Sequence, residues 1–249
     1  MGLELVVVQH VAGEGPDLIA NCAAERGLPM RILHSYLDEP LPDPITAPAC
    51  VVVLLGGPMG VGDRSQPGLE WLEREFAWLQ AWHQQRRPVL GICLGAQLLA
   101  AAAGGTVAPL LVGDPPQPLR ELGYGAISWT RSTNELPLLR GLDASELVLH
   151  WHGDRLQLPP GAELLGSSLH CAEQAFLLGR HGVGLQFHVE VSGPNLERWI
   201  EADRAYVIGA LGNSGPERLR RDQQRWGRQV ERQGRRLLHN TLEMLSAAA

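Results

Sequence analysis

The residues best equipped for chemistry are a cysteine set between two glycines, in Gly91-Ile92-Cys93-Leu94-Gly95, and a histidine two places before a glutamate, in Gln186-Phe187-His188-Val189-Glu190. The cysteine follows the apolar run Pro88-Val89-Leu90 and precedes the Ala-rich stretch Ala96 to Ala103, so the pattern reads as strand, tight turn, helix. That is a nucleophile elbow, with glycines at positions where a Cβ would crowd the backbone. A helix starting at Leu94 aims its positive end at the sulfur and favours the thiolate. In an extended segment, side chains at i and i+2 share a face, so Glu190 is expected to reach the imidazole of His188 and fix its tautomer. Cysteine, histidine and an orienting acid make a triad for acyl transfer.

Acyl transfer from an amide also needs N–H donors for the developing oxyanion. The buried-type strand Val51-Val52-Val53-Leu54-Leu55 runs into Gly56-Gly57-Pro58-Met59-Gly60. Pro58 has no N–H, so Gly57 is the better donor candidate, with the N–H of Leu94 as the second.

Gly56-Gly57-Pro58, Gly91-Ile92-Cys93-Leu94-Gly95-Ala96-Gln97, His152-Gly153-Asp154 and Gln186-Phe187-His188-Val189-Glu190 together resemble the class I (triad type) glutamine amidotransferases. The likeness is nearest to the glutaminase domain of GMP synthase and to stand-alone proteins related to it, and it covers about residues 3 to 210. The resemblance implies that Cys93 attacks the carboxamide of glutamine to give a γ-glutamyl thioester. His188 would protonate the leaving ammonia and then activate water, and Glu190 would orient His188. It implies further that Gln97, Trp151, Gly153 and Asp154 help hold the substrate. One departure is Val189, where most members carry proline.

Composition fits an enzyme of ordinary type: 249 residues, 45% hydrophobic, net charge −6. All 21 basic residues are arginine, which removes lysine as a catalytic group. Neither a signal peptide nor a membrane-length apolar run is read, so the expected location is cytoplasmic, with no membrane partner. Cys22, Cys50, Cys93 and Cys171 are widely spaced, which argues against a disulfide framework or a zinc site. His150 and His152 would share a strand face, but no further ligand set of metal spacing accompanies them, so neither a metal nor a cofactor is expected.

These motifs need strands to end at one edge and helices to cover the faces. Strands are expected at Leu3 to Val8, Met30 to Leu33, Val51 to Leu55, Gly123 to Trp129, Glu146 to Trp151, Ala162 to Ser168, Gln174 to Leu178 and Gly182 to Phe187, the last running on into His-x-Glu. Glu121 to Gly125 reads as a turn and strand supporting the pocket. A helix is expected at about Pro16 to Arg26. In a second, from about Gly68 to Gln85, Leu69, Leu72, Phe76, Leu79 and Trp82 form the packed stripe. Its three tryptophans, Trp71, Trp78 and Trp82, read as core or flank packing. The resulting fold class is α/β, an open twisted mostly parallel sheet of flavodoxin-like type with an antiparallel extension. Such sheets carry their sites beyond the carboxyl ends of the strands.

The amidotransferase domain is expected to occupy residues 1–210. Residues 211–249 read as an Arg-rich amphipathic helix packed on it, with Leu219, Trp226, Val230, Leu237, Leu242 and Leu245 as its apolar stripe and Gly209 to Gly215 as a hinge. The aromatic interleaving that single-strand binding favours is absent, so no nucleic-acid partner is expected.

Three functions are compatible with these features. The chain could be a glutaminase delivering ammonia to a separate synthetase, since it has no Ser-Gly-Gly-x-Asp-Ser or Walker loop of its own. It could be an autonomous γ-glutamyl hydrolase, as some stand-alone relatives are, or a regulatory glutamine-binding protein, against which the intact triad argues. Oligomeric state is left open, a homo-oligomer included.

Overall fold

The computed structural model describes residues 2–249. In chain order its elements are β1 (Glu4–Gln9), α1 (Leu18–Glu25), β2 (Met30–His34), β3 (Cys50–Leu54), α2 (Glu70–Gln84), β4 (Val89–Ile92) and α3 (Leu94–Ala102). There follow β5 (Thr106–Pro109), β6 (Leu111–Val112), β7 (Gln117–Pro118), β8 (Glu121–Trp129), β9 (Ser145–His152), β10 (Asp154–Gln157), β11 (Ala162–Ser167), β12 (Ala175–Leu178) and β13 (Gly182–Leu185). The chain finishes with α4 (Gly193–Ala202), α5 (Arg204–Leu211) and α6 (Gly215–Ser246).

A nine-stranded sheet runs β2-β1-β3-β4-β13-β12-β11-β8-β9. Pairings from β2 through β13 are parallel, and those from β13 out to β9 are antiparallel. The expected parallel sheet with an antiparallel extension is therefore present. Alternation along the strands sorts the two cores. Leu5, Val7, Val51 and Val53 face α1 and the end of α6, while Val6, Val8, Val52 and Leu54 face α2 and α3. Strands buried on both faces account for the near-continuous Val/Leu runs. The tryptophans of α2 pack as expected: Trp78 donates to Pro42 O and Trp82 to Pro88 O.

Three local expectations are corrected, and one small sheet is new. β13 stops at Leu185, and Gln186 to Glu190 bends away from β4 because the amides of Gln186 and His188 turn to the carbonyls of Gln174 and Leu149. Glu121 to Gly125 holds no turn, since all of it lies in β8, where Gly123 absorbs a φ of 97° within the strand. Gly209 lies inside α5, so the break in the tail is shorter than expected and is made by Gly212 at φ 77°. Finally, β10 pairs with β5 in a small separate sheet that the short exposed segments did not reveal.

α6 buries Leu219, Val230, Leu237, Leu242 and Leu245 of its stripe, and Arg225 covers the half-buried Trp226. Its close approach comes at Gly234, where a Cβ would stand 2.8 Å from the carbonyl oxygen of Val189. The helix thus rests directly on the segment that carries His188 and Glu190. No helix among the described residues is long and apolar enough to cross a membrane.

Candidate active site

Cys93 sits between β4 and α3 with φ 50° and ψ −108°, a backbone conformation that costs a non-glycine residue energy and persists only where its surroundings impose it. The flanking glycines are required by contact. A Cβ on Gly91 would lie 2.4 Å from Gly95 O, and one on Gly95 would lie 2.3 Å from Leu54 O. Bonds from Cys93 N to Leu185 O (2.8 Å) and from Gly95 N to Leu55 O (3.1 Å) fasten the turn to both neighbouring strands. The sulfur lies 3.8 Å from Trp151 O and 3.7 Å from Gln186 Nε2.

His188 arrives from the bend after β13. Its Nδ1 is 2.7 Å from Glu190 Oε1, and both side chains are buried. The other carboxylate oxygen accepts the N–H of Val189 at 2.9 Å. Burial works against a charged imidazole, but the charge of Glu190 and the hydrogen bonds with Cys93 and Glu190 outweigh it and hold the His188 pKa well above its ordinary value. Gly56 reports how closely His188 and Cys93 converge. A Cβ on it would meet His188 Cε1 at 3.1 Å and Cys93 Cβ at 3.6 Å.

Gly57 and Leu94, the expected oxyanion donors, both line the cleft that contains Cys93. Among the described residues neither backbone N–H has an acceptor. Two free amides beside a cysteine at a helix N-terminus can receive negative charge.

The cleft has a volume of about 350 Å³, and Gln97, Trp151, Gly153 and Asp154 all line it. Gln97 is buried and donates to Gln186 Oε1 at 3.1 Å, so the sequence reading missed Gln186, which links Gln97 to the sulfur. It also missed Glu14, Arg120, Trp199, Asp203 and Tyr206. Trp199 packs edge-on to His188 (4.9 Å between centroids) and to Trp151 (5.6 Å), and Tyr206 stacks on Trp151. Arg120, the one arginine among the lining residues, lies over the Tyr206 ring at 4.4 Å. The carboxyl of Glu14 is pushed up to about 7 by burial, with Glu190 and Asp203 adding to the rise against the opposing pull of His188 and His10. Three acids and one guanidinium around an apolar wall suit a small zwitterion.

Beneath the cleft, β8 and β9 bring Glu121, His150 and His152 within ligand distance of one another. The sequence reading had no third group for these histidines. The Glu121 carboxylate is already engaged by Ser168 Oγ (2.7 Å), Gln174 Nε2 (2.7 Å) and His152 Nε2 (3.0 Å). Burial lowers the His150 pKa to about 4. This network braces β9, the strand that carries Trp151. A second grouping, Cys22 with Glu25 and His239, lies outside the cleft-lining set, and burial pushes its thiol up to about 11, unsuited to nucleophilic work.

A family model described as glutamine amidotransferase class-I matches residues 17–203. The glutamine amidotransferase-like protein YfeJ of Salmonella typhimurium is 28% identical over 207 residues, covering 82% of this chain and 83% of YfeJ. A GMP synthase of Caldicellulosiruptor saccharolyticus is 33% identical over 190 residues, which is 76% of this chain but 33% of that protein, so the chain spans about a third of its length. The crystal structure of a glutamine amidotransferase from Thermotoga maritima matches with a TM-score of 0.81 and 28% identity over 98% of both chains.

Proposed function

The chain belongs to the class-I glutamine amidotransferase family, and from that premise we propose that it hydrolyses the γ-carboxamide of glutamine, or a γ-glutamyl amide, through a thioester on Cys93. The observation that carries this reading is the placement of His188. It is fixed by Glu190 at 2.7 Å on one side and coupled to Cys93 on the other, at the floor of the cleft.

In the proposed reaction the Cys93 thiolate adds to the γ-carbonyl carbon. The carbonyl π electrons move to oxygen, where the N–H groups of Gly57 and Leu94 stabilise them. Collapse of this intermediate breaks the C–N bond as the His188 imidazolium gives its proton to the departing nitrogen, releasing ammonia or an amine. The now neutral His188 takes a proton from water, hydroxide adds to the thioester, and the second collapse expels the Cys93 thiolate and leaves glutamate. Glu190 keeps His188 oriented and stabilises its charged form.

On this reading Arg120 faces the substrate α-carboxylate, and Glu14, Asp154 and Asp203 surround its α-ammonium. Gln97 and Gln186 fix the amide end, and Trp151 and Gly153 form the wall. Delivery of the ammonia to a synthetase is part of the proposal on the strength of the GMP synthase likeness, which is confined to about a third of that protein. The test is release of glutamate and ammonia from glutamine by the purified chain, with Cys93→Ala as blank. Equal release by the blank would refute it.

A further inference from the structure

β1 ends at Gln9, and the next residue, His10, is wholly buried. A buried imidazole must be satisfied at both nitrogens. Nδ1 is 2.9 Å from Gly56 O, and Nε2 is 2.8 Å from Oε1 of Glu75 on α2. A carbonyl oxygen only accepts, so Nδ1 carries a proton there. A carboxylate likewise accepts, so the imidazolium makes both bonds in full. Burial disfavours that charge, but the charge and hydrogen bond of Glu75, the Gly56 carbonyl and the charge of Glu14 prevail, and the His10 pKa is raised above its usual value. Glu75 is buried too, and its other oxygen takes the Ser35 hydroxyl. Trp71 stacks on the ring with centroids 6.0 Å apart. His10 is thus a clamped donor, and its backbone partner is Gly56.

The Gly56–Gly57 peptide is trans, the one cis bond among the described residues being Asp114–Pro115. In a trans peptide the carbonyl of one residue and the N–H of the next point in opposite directions. With Gly56 O turned toward His10, the Gly57 N–H is turned away from it, and that N–H is one of the two without an acceptor beside Cys93. Two adjacent glycines would otherwise permit the peptide to flip at small cost. The flipped form would place carbonyl lone pairs where an oxyanion must build.

We propose that His10, backed by Glu75, is a positioning residue that locks the Gly56–Gly57 peptide in the oxyanion-binding orientation, so that this chain forms its tetrahedral intermediates without a partner to align the loop. The proposal rests on the reading of Cys93 as nucleophile and Gly57 as donor. It assigns to the chain itself an alignment that a docking synthetase could otherwise provide, and it makes turnover by the isolated chain the expected behaviour.

The test compares His10→Leu with His10→Asn in the full chain, both combined with Glu75→Gln so that neither leaves a buried carboxylate unpaired. Both lose the ring and its Nε2 contact, and only Asn can put an N–H near the former Nδ1 position. Loss of one oxyanion donor costs about 10²- to 10³-fold in kcat, so the Leu variant is expected to fall by that order with KM changed less than about threefold. The Asn variant is expected to recover most of the rate. A Leu variant as fast as the Asn variant, or an Asn variant as slow as the Leu variant, would overturn the lock. Crystal structures of the two variants give a readout independent of turnover. The Gly56–Gly57 peptide is expected to flip with Leu and stay with Asn, and an unflipped peptide in the Leu variant would also overturn the proposal. A wild-type chain silent toward glutamine and γ-glutamyl p-nitroanilide whose Cys93 still reacts with diazo-oxo-norleucine would overturn the partner-independent alignment, whereas a chain that neither turns over nor labels at Cys93 would fault the hydrolase reading itself.

Discussion

Val189 donates its backbone N–H to Glu190 Oε2 at 2.9 Å while the other oxygen of the same carboxylate holds His188 at 2.7 Å. The residue between His188 and Glu190 therefore clamps the carboxylate. Proline, which the family resemblance leads one to expect here, has no N–H to give. Val189→Pro is expected to lower stability by about 1–3 kcal/mol, the cost of leaving a buried acceptor short of a partner, and to reduce kcat. Urea unfolding with parallel kinetics would check this, and a proline variant as stable and active as wild type would refute it.

Removing the acid should have a pH-dependent cost of definite sign. The folded pKa of His188 is raised, so the stability it contributes is fully present below its unfolded value near 6.5 and is lost as pH rises through the folded pKa. Glu190→Gln breaks a buried pair and should destabilise by about 3–5 kcal/mol where His188 is protonated, with a smaller penalty once the pH exceeds that raised pKa. Unfolding curves for both proteins at pH 6 and at pH 10 measure the difference. A penalty that grew with pH would contradict the assignment of charge.

The strain at Cys93 predicts an inversion of the usual glycine effect. Glycine ordinarily costs stability relative to alanine, but at φ 50° and ψ −108° any Cβ is strained, by about 1–3 kcal/mol. Cys93→Gly should therefore be at least as stable as Cys93→Ala, and both should be inactive. Thermal unfolding of the pair decides it, with a markedly less stable glycine variant as the contrary result.

Glu14 is held against its own ionisation. Its folded pKa of about 7 stands above the ordinary carboxylate value, so the fold disfavours the charged form, without penalty below about pH 4.5 and with a penalty growing as pH rises to 7. Glu14→Gln should stabilise the chain by about 1–3 kcal/mol at pH 8, with little change at pH 4.5. Denaturant midpoints at the two values test this. Stabilisation at the acidic pH alone would show the shift to have the other sign.

Why some of the site was visible in the sequence and some was not follows from where its constraints act. The elbow is local: Gly91 and Gly95 meet backbone within a few residues or on the adjacent strand, and such contacts leave a fixed spacing in the chain. The i, i+2 spacing pairs His188 with Glu190, but alternation cannot distinguish a strand from a bend whose amides bond to Gln174 and Leu149. The parallel core was legible in the Val/Leu runs of β1 and β3. Glu14, Arg120, Trp199, Asp203 and Tyr206 leave no such trace. Each comes from a different turn or helix and acquires meaning only when α4 and α5 fold over the cleft. His10 and Glu75 stand 65 positions apart, one at a strand end and one within the apolar stripe of α2, where an acid looks like an interruption.

The central claim is that Cys93 is the nucleophile of a γ-glutamyl transfer, and the most direct measurement is covalent trapping with the glutamine analogue diazo-oxo-norleucine, read by intact-mass and peptide mass spectrometry. The account predicts a single adduct, on Cys93, absent from Cys93→Ala and suppressed by excess glutamine. Labelling of Cys22, Cys50 or Cys171, or an adduct that glutamine does not protect against, would contradict it.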